Sequence, residues 1–243
     1  LNTVPFIYGS ADAGFLLSGL LLAPPSRNVT SFINGDADIA LLPAGALSEV
    51  TDARLVSSFC LGASNPVRTV TLMRDTPVEG IRRIWLDNHS RTSALLVGIL
   101  ARELWHISPE WLDMRDYSVA DNAAEGDAFL LIGDKVFDYE GRFSYPYDLA
   151  ACLEGTTWLP FVFAVWIARN DVPEEVVDAL QRSLEYGVAH IPEAIAYYGH
   201  SGKPYAYEYL TKNLDFVFDE AKHEALALFH EKSRRFIPMM APG

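Results

Sequence analysis

The chain has 243 residues, half of them hydrophobic, which is enough for one large domain or for two lobes of about 100–150 residues each. Nineteen Lys and Arg against 32 Asp and Glu leave a net charge of −13, which argues against nucleic acid or an anionic membrane surface as a partner. No apolar run approaches the roughly 20 residues of a membrane span, so no membrane insertion is expected, and an anionic ligand would have to be held by local amides, hydroxyls or a single Arg.

The chain opens "LNTVPFIYG", where Asn2 ahead of Pro5 reads as a turn residue. Residues 29–47, "VTSFINGDADIALLPAGAL", read as the end of a helix, Gly35 as its stop, and a short buried strand closed by Pro43. Strands are then expected at 67–73 and 82–87, a helix at 91–105, strands at 128–134 and across "FVFAVWIA", and a helix at 173–190. The last third, including "LDFVFDEAKHEALALFHEKSRRF", reads as helices with charged outer faces. Near-continuous apolar strands between amphipathic helices predict an α/β protein with a mostly parallel sheet covered on both faces. Cys60 and Cys152 fit no CxxC or zinc spacing, which suits a reduced, cytoplasmic chain without a metal.

Ligands of open α/β sheets sit beyond the carboxyl ends of the strands. Four such ends carry unusual chemistry: Pro43–Ala44, Ser90–Ser93, Gly133–Asp134 and Thr156–Thr157. In "DNHSRTS" (87–93), Ser90, Thr92 and Ser93 are either an N-cap or, with free amides and the helix dipole, a seat for a carboxylate or phosphate. Arg91 either pairs with a ligand carboxylate or braces the loop against Asp87 or Asp134. Asp134 is a turn residue or a base, and Gly133 lets the backbone approach a ligand. His89 is the nearest candidate base to the cluster; the other histidines read as structural.

The strings "LNTVPFIYG", "GDADIALLPAGAL", "LDNHSRTSALL", "LLIGD" and "YDLAACLEGTTWLPFVFAVW" occur in this order over residues 1 to about 170, and together they resemble the MqnA family of menaquinone biosynthesis, the chorismate dehydratases of the futalosine route. The helical tail "YLTKNLDFVFDEAKHEALALF" looks like that family's C-terminus. The resemblance implies a fold like the type II periplasmic binding proteins, with the ligand in a cleft between two α/β lobes. Lobe one would hold roughly 1–65 and 160–243 and lobe two 66–159, with crossings near "NPVRTV" and "TTWLPFVF". It further implies that a first strand ends in residues before Leu1, and that Asn2 faces the cleft at its end.

The implied reaction is a cofactor-free lyase step, removing water from chorismate to give 3-[(1-carboxyvinyl)oxy]benzoate. A substrate carboxylate would take the proton while Asn2 and the hydroxyl cluster orient the molecule, and Thr157 and Phe161 would line the hinge side, or be plain hinge core. Two residues depart from the family pattern: Trp158 stands where Gly is usual, and Leu153 where Trp is usual. The apolar "LPFVF" beside Trp158 predicts that its indole packs into the hinge core. The rival readings are a solute-binding protein of the same fold, the sister enzyme acting on a futalosine-derived nucleoside, and a homologue that binds without turnover.

Overall fold

The structure, a computed structural model, describes residues 1–12, 19–87, 90–151 and 159–236. Its strands form two sheets. The first contains β1 (Ile39–Pro43), β2 (Ala53–Ala63), β8 (Phe161–Arg169) and β9 (Asp215–Val217) in the order β1-β8-β2-β9. The second contains β3 (Val70–Arg74), β4 (Arg83–Asp87), β5 (Glu110–Met114), β6 (Asp127–Ile132) and β7 (Tyr147–Asp148) in the order β5-β4-β6-β3-β7.

The expected parallel sheet is found only in part. In the second sheet β5, β4 and β6 run parallel, while β3 pairs antiparallel with both β6 and β7. In the first sheet β8 is antiparallel to β1 on one side and to β2 on the other. The reason is that a continuous apolar run such as "FVFAVWIAR" reports burial on both faces, which any central strand has, and carries no signal for direction. Strand β2 has no counterpart in the sequence reading, since Ser57, Ser58 and Gly62 interrupt its apolar pattern.

The helices are α1 (Val4–Asp12), α2 (Pro25–Asn34), α3 (Arg91–Glu103), α4 (Lys135–Asp138), α5 (Glu174–Ala189), α6 (Ile191–Tyr197), α7 (Ala206–Glu208) and α8 (Glu220–Ser233). Helix α2 stops at Gly35 as expected, with φ of 84° and its amide closing onto Phe32 and Ser31. Helices α1 and α5 cross backbone to backbone. A Cβ on Gly9 would come within 1.9 Å of the Ser183 carbonyl, and one on Gly187 within 1.9 Å of the Pro5 carbonyl, so no side chain fits at either position. That contact fixes α1 and therefore where Leu1 and Asn2 lie.

The largest apolar cluster joins the two sheets, with Phe32, Leu42 and Val165 from one half and Leu72, Ile84, Leu96 and Leu130 from the other. Full burial stabilises each such side chain by about 1.5–3 kcal/mol. A second cluster of Met73, Met114, Phe129, Leu131 and Phe143 covers the opposite face of the second sheet, as the two-residue alternation along β3 and β6 requires. Among the described residues, no helix is long and apolar enough to cross a membrane.

Candidate functional site

Strands β4 and β6 are parallel neighbours, paired from Arg83 with Asp127 to Trp85 with Phe129, so both run toward the same edge of the sheet. The segments that leave their C-terminal ends, Ser90–Ser93 and Gly133–Asp134, therefore share one edge of the second sheet. Facing them from the first half are the turn after β1 and the segment ahead of α1.

At the start of α3 the capping geometry is present. The Ser90 hydroxyl accepts from the Ser93 amide at 3.1 Å and donates to the Ser93 hydroxyl at 2.7 Å. Thr92 is buried; its hydroxyl accepts from the Gly45 amide at 3.0 Å and donates to the Phe163 carbonyl at 3.2 Å. Helix α3 is thus tied to the turn after Pro43 and to β8 at once. The approach is tight enough to demand glycine, because a Cβ on Gly45 would lie 2.9 Å from the Thr92 amide nitrogen. Arg91 braces as one reading held, but its partner is Glu49, on the turn after β1, and not Asp87 or Asp134. The exposed guanidinium reaches across to the first half and leaves its own strand end. The Arg91 and Thr92 amides, in the first turn of α3, have no acceptor among the described residues.

At the end of β6, Gly133 has φ of 70°, the left-handed region that a side chain disfavours, and its amide donates to the Thr69 carbonyl at 2.8 Å. Asp134 makes no capping bond to α4. Its carboxylate instead receives Lys203 Nζ at 3.0 Å, and the Leu1 backbone nitrogen lies 3.8 Å away. Leu1 is thereby placed near Asp134, and Asn2 follows it in a turn that leads directly into α1. The bond to Asp134 raises the Lys203 ammonium above its ordinary value. Next to this pair Phe137 stacks on Tyr205, with ring centroids 4.0 Å apart, and the buried Tyr209 hydroxyl bonds that of Thr69 at 2.9 Å.

A further cluster lies on the same sheet edge. Asp87, at the end of β4, accepts from the Tyr117 hydroxyl at 2.7 Å and from Lys135 Nζ at 3.1 Å. Burial, followed by the bond to Asp87 and its charge, raises the Tyr117 phenol above its ordinary value.

The expected site residues fall into three groups. Gly133 and Asp134 lie at the end of β6 with the Leu1 nitrogen 3.8 Å from the Asp134 carboxylate and Asn2 next in the chain, while Ser90, Thr92 and Ser93 gather at the start of α3 against the Gly45 turn that follows Pro43. Phe161 is buried at the start of β8, edge-on to Phe163 and Phe229 with centroids 4.9 and 5.3 Å away, which is a core environment. Thr157, Trp158, Leu153 and His89 lie outside the described residues. Lys203, Tyr209, Tyr117 and Lys135 were not read as site residues from the sequence; Tyr209 opens the tail string and Lys135 follows "LLIGD", but neither carries a spacing that marks it for a site. A cavity of about 310 Å³ on the first sheet, lined by Leu47, Arg54, Ile167, His223 and His230 among others, contains none of the strand-end residues. Among the described residues, no group of three or more potential metal ligands is found.

An α/β chain with its described strands divided between two sheets has the architecture of its class, which is the periplasmic-binding-protein fold. The protein from Candida albicans described as having the generic form of that fold is 12% identical, with a TM-score of 0.61 over 99% of this chain and 88% of its own. The periplasmic aliphatic sulphonate binding protein SsuA from Escherichia coli is 13% identical, with a TM-score of 0.61 over 98% and 89%. Protein AF1704 from Archaeoglobus fulgidus is 16% identical, with a TM-score of 0.73 over 96% and 94%. Within this class, the menaquinone-biosynthesis family matches residues 1–235, and the chain belongs to that family, the one that includes MqnA. Membership supports an enzymatic role in menaquinone biosynthesis.

Proposed function

We propose that the protein is a chorismate dehydratase of the futalosine route, a carbon–oxygen lyase that removes water from chorismate. The observation that carries this reading is the family match over residues 1–235, and the ordered motifs that contain Asn2, Gly133–Asp134 and the start of α3 are in keeping with it. On this reading lobe one takes 1–65 and 160–243 and lobe two 66–159, in keeping with the division of the strands between two sheets. A cytoplasmic location goes with it; Cys60 is a buried free thiol, which suits a reducing compartment.

In the proposed step a proton leaves the ring carbon that bears the enol ether, and the neighbouring hydroxyl departs as water. The ring becomes aromatic, so the chemistry is downhill and the protein's task is to position a dianion. One carboxylate would sit against the Arg91 and Thr92 amides at the positive end of α3, since the hydroxyls of Ser90, Thr92 and Ser93 already hold one another or the first half. Asn2 would bond the departing hydroxyl, and a substrate carboxylate would accept the proton. Turnover by Asn2→Ala and His89→Ala tests the roles. The reading expects Asn2→Ala to lose most activity and His89→Ala to keep it; a loss beyond about a thousandfold in His89→Ala would make that imidazole the base.

A further inference from the structure

The cavity bounded by β2, β8, α8 and the turn after β1 has a chemically uneven lining. Leu47, Val50, Leu55, Ile167 and Leu226 give it an aliphatic wall, and among the described residues no carboxylate and no Phe, Tyr or Trp ring lines it. Its titratable side chains are Arg54, His223 and His230, none of them acidic, in a chain of net charge −13. At about 310 Å³ it stands at the lower end of the ~300–1,000 Å³ range of small-molecule pockets, so it suits a short compound.

The polar groups divide by what they already hold. His230 on α8 gives Nε2 to the Ala44 carbonyl at 3.0 Å. Arg54 on β2 makes both its bonds through Nη2, to the Val172 carbonyl at 3.3 Å and to the exposed Glu174 carboxylate at 2.8 Å, so its Nε and Nη1 donors have no acceptor among the described residues. His223 packs its ring 3.9 Å from that of Phe218, and its ring nitrogens bond nothing among the described residues. An aliphatic wall beside charged donors without acceptors fits an anion with an apolar body: the body covers the wall and the anion takes the donors. Apart from the imidazoles nothing flat lines the cavity for a ring to stack on, which favours an alkyl body.

The surroundings of the cavity give its occupant a consequence. Leu47 lies in the turn Ala44–Glu49, and Val50 closes it through a 3.2 Å bond from its amide to the Leu47 carbonyl. The same turn sends the Gly45 amide to Thr92 and Glu49 to Arg91. It therefore lines the cavity and holds the start of α3 at once.

We propose that this cavity is a second binding site, for a short alkyl carboxylate, and that its occupant acts on the start of α3 through the Ala44–Glu49 turn. Atoms that fill the space beside Leu47 and Val50 bias the position of the turn, and the turn carries Thr92 with it, so the ligand needs no contact with α3. The site stands whether or not the protein is a dehydratase.

The test is titration of the full chain with sodium octanoate, followed by NMR of the backbone amides, with octan-1-ol as the uncharged probe and thermal midpoints to check folding. Octanoate should shift the amides of Leu47, Val50 and Leu226, and the amide of Thr92, which does not line the cavity, should shift with the same midpoint. Octan-1-ol should bind about tenfold more weakly or less, and Arg54→Gln should weaken octanoate to the same degree. Because Arg54 also anchors Val172 and Glu174, Ala227→Phe serves as a second variant: it fills the cavity from an exposed position on α8, leaves those bonds alone, and should abolish the shifts. A wild type that does not bind octanoate, binding that is unchanged in Ala227→Phe, octan-1-ol bound as tightly, or a Thr92 amide unmoved at saturation would each overturn the proposal.

Discussion

The hydroxyl of Thr92 and the amide of Gly45, 3.0 Å apart, join the helix that follows β4 to the turn that follows β1, and the same hydroxyl reaches the Phe163 carbonyl at 3.2 Å. One buried side chain therefore links three segments that are remote in sequence. Thr92→Val keeps the shape and leaves both backbone groups without a partner, so it should lower unfolding free energy by about 1–3 kcal/mol, and Thr92→Ser should recover much of that. Gly45→Ala should cost about 1–3 kcal/mol by a different route, since its methyl meets the α3 backbone. Urea unfolding of the three variants checks both.

Ser90 caps α3 through the Ser93 amide. Ser90→Ala should therefore cost about 1 kcal/mol of stability. Its KM for chorismate should stay close to that of the wild type, because the hydroxyl is turned onto its own helix. A large rise in KM at unchanged stability would return Ser90 to the ligand.

Lys222 is completely buried on α8 and holds Asp215 of β9 at 2.6 Å. Burial alone would raise the Asp215 carboxyl, but hydrogen bonds from Lys222 and Ser64 outweigh it and hold the group below its ordinary value. A carboxyl depressed in the folded state contributes stability that is fully present above its unfolded value, about pH 4, and that is lost as pH falls through the lower folded value. Lys222→Met should cost about 3 kcal/mol at pH 6. The stability lost between pH 6 and pH 3 should also be smaller in Lys222→Met than in the wild type, and equal losses would show that the pair makes no such contribution.

Cys60 lies in β2 with no exposed surface, and its thiol is pushed up to about 12, mainly by burial. In a Cys152→Ser background the folded protein should react with a thiol reagent at pH 8 only as fast as it opens, and immediately once unfolded in denaturant. Fast labelling of the native protein would place Cys60 nearer the surface.

The elements most legible in the sequence are those whose pattern is local. The run ending at Pro43, the strand ending at Asp87, the helix from Arg91 and the strand from Phe161 could each be found because burial on both faces or on one stripe leaves its period in a short stretch. Direction was not legible, because β8 is as apolar between two antiparallel neighbours as it would be between parallel ones. Strand β2 was hidden by Ser57 and Ser58, which the structure uses to bond Gln181 on α5. At the site, the Ser90 loop and Gly133–Asp134 stood out by composition. Lys203 did not, because it sits in "YGHSGKPYAY", a polar turn whose meaning depends on a partner 69 residues away.

The most direct measurement is mass spectrometry of the product formed when the purified protein is incubated with chorismate, with and without EDTA. The account predicts conversion to a compound lighter by one water that carries the aromatic ring of 3-[(1-carboxyvinyl)oxy]benzoate, at the same rate in the presence of the chelator. Chorismate recovered unchanged, or consumed with release of pyruvate instead of water, would contradict it.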